Sequence, residues 1–251
     1  MNTRTWWATS RRVLAQLLAD KRTIGLMMAA PPLLLTLLYY MYSEVPLIPG
    51  SQSFFSGIAL TMFAVLPMFF MFLITSITMQ RERASGTLER LWTTNLHRAD
   101  LLFGYSSAFV VVAAIQAAIL CTVGYCFLGV QTQGNPGWVV LNAAACAVVG
   151  VSLGLMTSAF ARSEFQAVQF MPIVVLPQVF LCGLLVPLEH LPRILERIAL
   201  LLPLTYGVKA IEAVKTQTEV SSDYWGPLAI VLAWGIGSLI LAALTMPRTS
   251  A

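Results

Sequence analysis

Six apolar runs, each about the length needed to cross a bilayer, leave this chain few ways to fold. A membrane-crossing helix takes roughly 20 apolar residues, and lipid cannot satisfy the polar groups of an open backbone. The runs are Ile24–Tyr42, Phe54–Met79, Leu101–Val130, Trp138–Ala161, Phe165–Leu188 and Gly226–Met246. Apolar residues make up 58% of the sequence and charged residues 10%, well below the quarter found in soluble domains, and mean hydropathy is +0.78. The expected fold is an all-α polytopic membrane protein of six transmembrane helices in a single domain. Pro67, Pro172 and Pro177 interrupt the second and fifth runs, where neighbouring helices or a polar cavity must take up the freed carbonyls.

Charge sets the orientation. With the N-terminus inside, segments 1–23, 80–100, 162–164 and 247–251 hold 5, 4, 1 and 1 of the 15 basic residues. The outer segments 43–53, 131–137 and 189–225 hold 0, 0 and 4, namely Arg193, Arg197, Lys209 and Lys215. Basic loops stay in the cytoplasm, so both termini of a multi-pass protein are expected there. The net charge of +4 therefore reflects topology, and nucleic acid is not an expected partner. No cleavable signal peptide is expected, because a long basic segment precedes the first run, which carries Pro31-Pro32 instead of ending in a small-residue cleavage site.

Two segments outside the runs carry helical spacing. Between Thr3 and Arg22, Trp6, Trp7, Val13, Leu14, Leu17 and Leu18 share one side, with Arg4, Arg11 and Arg12 on the other. That is the pattern of an interfacial helix lying on the inner leaflet. Residues 189–225 are too apolar for a solvated loop and too charged for a seventh crossing. There Leu191, Ile194, Leu195, Ile198 and Leu201 recur around Arg193, Glu196 and Arg197, and Pro203 divides one short helix from the next. A pair of re-entrant amphipathic helices on the outer face fits this.

Several chemistries are disfavoured. Gly150, Ser152 and Gly154 match GxSxG, but inside an apolar helix rather than after a strand, and His97 and His190 fall on opposite sides. Close helix packing through GxxxG is the better reading. The four cysteines lie in apolar runs without ligand spacing and read as buried apolar residues. No GxxxxGK[ST] loop is present, and no span has a central ionisable residue to drive a proton- or sodium-coupled carrier. No metal site is expected, and energy must come from another chain unless the protein is a passive pore. Gln116, Asn142, Gln169 and Gln178 are polar groups within spans. Gln116, Gln169 and Gln178 are candidates for lining a substrate path, and interhelical hydrogen bonding is the alternative.

Residues 80–100 hold four arginines and three carboxylates between two membrane-length runs. Leu88, Leu91 and Trp92 stand at i, i+3 and i+4 and form one apolar knob, while Glu82, Glu89 and Arg90 occupy other faces. Ser85-Gly86-Thr87 permits a bend or cap before it. This pattern serves a docking helix for a cytosolic protein and a plain surface helix equally well.

The spacing Glu82, Gly86, Thr87, Leu88, Glu89, Leu91 resembles the cytoplasmic segment of type-2 ABC exporter permeases of the antibiotic-resistance kind. The stretch Pro187 to Ile211 is similar to that family's outer re-entrant region, with Leu202, Pro203, Thr205 and Tyr206 as its Leu-Pro-x-Thr-Tyr-like element. One departure stands out: Thr94-Asn95 replaces the Thr-Pro that relatives commonly have. The resemblance implies a permease subunit of an exporter for amphipathic drugs, lipids or lipid-linked substrates. It implies no cofactor on this chain, ATP and Mg bound by cytosolic ABC ATPase subunits, and a second permease, identical or not. The segment around Glu82–Trp92, with the N-terminal helix, would couple ATP use to transport, and spans one, two and five would surround the path. A membrane scaffold that recruits a cytosolic partner and transports nothing is the competing expectation.

Overall fold

The computed structural model describes residues 3–43, 54–86, 98–161 and 163–245. Nine α-helices are described there: α1 Thr3–Ala19, α2 Lys21–Tyr42, α3 Phe54–Ala84, α4 Arg98–Thr122, α5 Pro136–Ser158, α6 Glu164–Leu181, α7 Arg193–Ala199, α8 Pro203–Thr216 and α9 Ser222–Thr245. A π-helical turn, Val123–Phe127, prolongs α4, and a 3₁₀ turn, Leu188–His190, precedes α7. No strand occurs among the described residues. Six helices are long and apolar enough to cross a membrane: α2, α3, α4 with its π turn, α5, α6 and α9.

Helix α5 is the axis of the bundle, packed by α3, α9, α4 and α8. Its inward positions are small: Ala143, Ala147, Gly150, Ser152 and Gly154 are all buried. A Cβ on Gly150 would collide with the carbonyl oxygen of Met68, and one on Gly154 would stand 2.6 Å from that of Phe72. Lipid gives apolar helices no reason to leave it, so close backbone approach of this kind supplies the packing that holds them together. The GxxxG pair therefore seats α5 on α3. Ser152 donates its hydroxyl to the Val148 carbonyl of its own helix and does no nucleophile's work.

Two apolar cores divide the bundle lengthwise. One gathers Val13 and Leu17 of α1 with Met27, Met71, Ile74, Tyr105 and Phe109. The other gathers Leu35, Phe55, Phe63, Val139, Leu204, Ile211 and Tyr224 at the opposite end. Helix α8 is buried along most of its length and reaches into that second end. Asn142 donates from α5 to the Gly207 carbonyl of α8 at 2.9 Å, about 9 Å along the axis from the start of α5.

Local sequence explains most helix ends. Asp20 caps α2, Asn135 caps α5 with Pro136 next to it, and Ser163 caps α6. Helix α3, at 31 residues, is about 46 Å long, well beyond a hydrocarbon core of about 30 Å, so its last turns leave the apolar layer. Helix α6 stops at Leu181, short of the expected Leu188, because Gly183 takes a left-handed φ of 96° and breaks the helix inside an apolar stretch. Likewise α4 ends in a π turn at Phe127 rather than running to Val130. Three cysteines are buried, but Cys126, on that π turn, is exposed, contrary to the expectation for all four.

Candidate functional site

The second span leaves the apolar layer carrying Arg81, Glu82 and Arg83, and each ties it to a different neighbour. Arg83 donates from one nitrogen to the carbonyls of Ser158 and Ala159 at 3.0 and 3.2 Å. Those carbonyls end α5 and have no partner within it, so the guanidinium caps the helix and sits at the negative end of its dipole. Arg81 pairs with Glu164 at 3.1 Å, in the first turn of α6, where a carboxylate suits the positive end. Glu82 faces Arg12 of α1 at 3.7 Å, and Arg12 donates at 2.6 Å to the Tyr105 hydroxyl of α4. Four helices thus converge on three consecutive residues.

The Glu82 contact differs from the other two. Its Oε2 is buried and accepts no hydrogen bond among the described residues, while the Arg12 guanidinium at 3.7 Å and the Tyr105 hydroxyl both stand beside the carboxylate. Helix α1 is otherwise firmly seated. Gly104 of α4 lets it approach, since a Cβ there would meet Thr9 at 2.7 Å. Ser10 and Ser107 share a hydrogen bond at 2.7 Å, and the Trp6 indole donates to the Phe103 carbonyl at 3.2 Å.

Past Arg83 the helix is terminated. Gly86 has φ 68°, its amide bonds the Arg83 carbonyl at 3.0 Å, and Ser85 donates to the Glu82 carbonyl at 3.1 Å. Ser85 and Gly86 thus close the C-terminal end of α3, and the helix they were expected to precede lies outside the described residues. Of the proposed coupling residues, Glu82 and Gly86 are therefore placed in this cluster. Thr87, Leu88, Glu89, Leu91 and Trp92 lie outside the described residues. Arg12, Tyr105, Arg83 and Glu164 escaped sequence reasoning as members of one site. Nothing in their spacing announces it, because each comes from a different helix.

At the other end, the Leu-Pro-x-Thr-Tyr element is a splice between two helices. Leu202 is the N-cap of α8 and Pro203 its first residue. Thr205 donates to the Ala199 carbonyl at 2.7 Å and Tyr206 to that of Leu200 at 2.8 Å, satisfying the end of α7. Pro187 opens the 3₁₀ turn before α7. The three glutamines are dispersed. Gln116 is buried and donates to the Met27 carbonyl of α2 at 3.0 Å, Gln178 donates to Val174 of its own helix at 2.8 Å, and Gln169 is exposed on α6.

The profile of the ABC-2 type transporter family matches residues 4–215. Among curated proteins, the chain is 27% identical over 157 residues to the linearmycin resistance permease protein LnrN of Bacillus subtilis, covering 62% of this chain and 40% of that protein. It is 29% identical over 176 residues to ABC transporter G family member 20 of Dictyostelium discoideum, covering 69% of this chain and 24% of the other. A probable multidrug ABC transporter permease of Escherichia coli, YbhR, is 22% identical over 164 residues, 64% of this chain and 45% of its own length. The matched region thus spans less than half of each of these relatives.

Proposed function

This chain belongs to the ABC-2 type transporter family, and on that footing we propose that it is the membrane permease subunit of an ATP-driven exporter. The observation that carries the reading is the convergence of α1, α4, α5 and α6 on Arg81, Glu82 and Arg83, immediately before the segment proposed to dock the ATPase. In this reading that end faces the cytoplasm, in keeping with eleven of the fifteen basic residues in the inner segments. ATP and Mg are held by separate ABC ATPase subunits. Their closure displaces residues 87–97, and the displacement reaches α5 and α6 through two arginine contacts and α1 and α4 through Arg12. A push at one point then moves several spans as a unit. The substrate is an amphipathic drug, lipid or lipid-linked molecule, and the linearmycin resistance and multidrug relatives support the drug class.

A second permease completes the transporter. The exposed Gln169 supports its placement against α6, since an amide facing lipid without a partner is unfavourable. Leu88→Asp with Leu91→Asp, or removal of the ATPase, is expected to abolish export from cells while the permease still inserts. Export persisting without any ATPase would defeat the proposal. ATP turnover that ignores every amphipathic substrate offered would favour a scaffold that recruits a cytosolic partner.

A further inference from the structure

Away from the charged cluster, a cavity of about 960 Å³ opens between α2, α3, α8 and the turn after α6. That is at the upper end for small-molecule sites, which run from about 300 to 1,000 Å³. Its wall is mostly apolar, with Leu38, Ile58, Met62 and Ile211 among the lining residues, and Thr61 and Gln133 add polar groups. Two charges interrupt it, Glu212 and Lys215, both from α8. Glu212 is exposed, whereas Lys215 is half-buried, its Nζ 3.6 Å from where a Cβ would stand on Gly57. Lys215 makes no ion pair or hydrogen bond among the described residues. No side chain among the described residues pairs with that ammonium, which leaves it free to meet an anionic group that enters the cavity.

The depth of the cavity narrows the choice. The Gly134 amide donates at 3.0 Å to the Val214 carbonyl, next to Lys215, and joins α8 to the loop that starts α5. Just beyond, the rings of Trp138, Tyr224 and Trp225 cluster with centroids 5.3 to 5.8 Å apart. Such aromatic groups settle at headgroup depth. An apolar cavity with a cation at headgroup depth matches a molecule with an apolar chain and an anionic head.

We propose that this cavity binds a lipid-like amphiphile with a phosphate-type head, its chain along the apolar wall and its head on Lys215. This deepens the exporter reading, on which it rests, by naming the substrate class and a station for it at the end opposite the charged cluster. Glu212 also lines the cavity but is exposed, so its charge is screened and contributes little by comparison.

The test uses the full chain in an uncharged detergent, without ATPase, and follows binding by native mass spectrometry. The probes are lysophosphatidylglycerol and a monoacylglycerol of the same chain. Lys215→Gln is expected to weaken lysophosphatidylglycerol by about tenfold, the value of one charge-assisted contact, and to leave the monoacylglycerol unchanged. Lys215→Arg should retain binding, which separates lost charge from lost fold. Lys209→Gln should change neither probe, since Lys209 stacks over Tyr206 outside the cavity. Wild-type affinity in Lys215→Gln, equal weakening in Lys209→Gln, or displacement of the probe by inorganic phosphate alone would each overturn the proposal. Because no ATPase is present, failure here leaves the export reading standing. Preserved binding with ATP-independent export would strike that reading alone.

Discussion

Gln116 and Pro31 illustrate how a single missing hydrogen shapes a membrane helix. Pro31 has no amide to give the carbonyl four residues back, which is that of Met27, and Gln116 of α4 fills the vacancy at 3.0 Å. Gln116→Leu should therefore cost about 1 kcal/mol, within the range of about 0.6–1.7 kcal/mol for interhelical hydrogen bonds in a membrane protein. In a Pro31→Ala background the helix supplies its own amide to Met27, and the same substitution should cost less than about 0.5 kcal/mol. Denaturant unfolding of the four variants in detergent gives the coupling. Equal costs in both backgrounds would mean that Gln116 serves something other than this carbonyl. The sequence marked Gln116 as a polar residue in a span and assigned Pro31 no such role. It offered no means to pair them, because the bond links a side chain to a backbone atom on another helix. The GxxxG contact of Gly150 and Gly154 was readable, since its signal is a spacing within one helix.

Helices behave similarly: those set by local chemistry were legible, and those set by neighbours were not. The break between α7 and α8 at Pro203 follows from proline alone. Helix α1 was expected to have one apolar side, yet its buried stripe is Thr9, Ser10, Val13 and Leu17, while Trp7 and Leu18 remain exposed. The stripe is chosen by α4, whose Gly104 admits Thr9, and a mean apolar face cannot reveal that. Where α1 yields to α2 the cause is local again. Asp20 accepts hydrogen bonds from the Thr23 amide at 3.2 Å and hydroxyl at 2.6 Å, which hold its carboxyl below the ordinary carboxylate value. A depressed folded value means that the cap contributes above the unfolded pKa of about 3.9 and is lost as pH falls through the folded one. Hydrogen exchange at the start of α2, corrected for intrinsic rate, should show Asp20-dependent protection at neutral pH that vanishes in acid. Asp20→Asn should keep protection at both, since asparagine caps without a charge. Acid-sensitive protection in Asp20→Asn would assign the effect elsewhere.

Taken whole, the molecule buries its spans unevenly. The apolar window of α5 is 72% buried, whereas those of α2 and α6 are only 17% buried, and both lie against α3. Helix α9 is also largely exposed, but its outward residues Ile230, Ile236, Ile240 and Leu244 are apolar and suit lipid. Helix α6 instead turns out Gln169 along with two helix-interior prolines, Pro172 and Pro177, whose freed carbonyls need partners. Uneven burial of this kind is invisible in sequence, where all six runs read as equally apolar, because it depends on which helices end up central. It predicts that the second permease covers α2 and α6 and leaves α9 to the bilayer. Single cysteines at Leu37, Ile173 and Ile240, all exposed, test this in membranes carrying the complete transporter, with Cys126 replaced by serine because it too is exposed. Cysteines at positions 37 and 173 should cross-link to a permease, in a homodimer or a heterodimer alike, and the one at position 240 should not. Cross-linking through position 240 with none at the other two would place the dimer seam on α9. Gln169 would then need a partner other than a second permease.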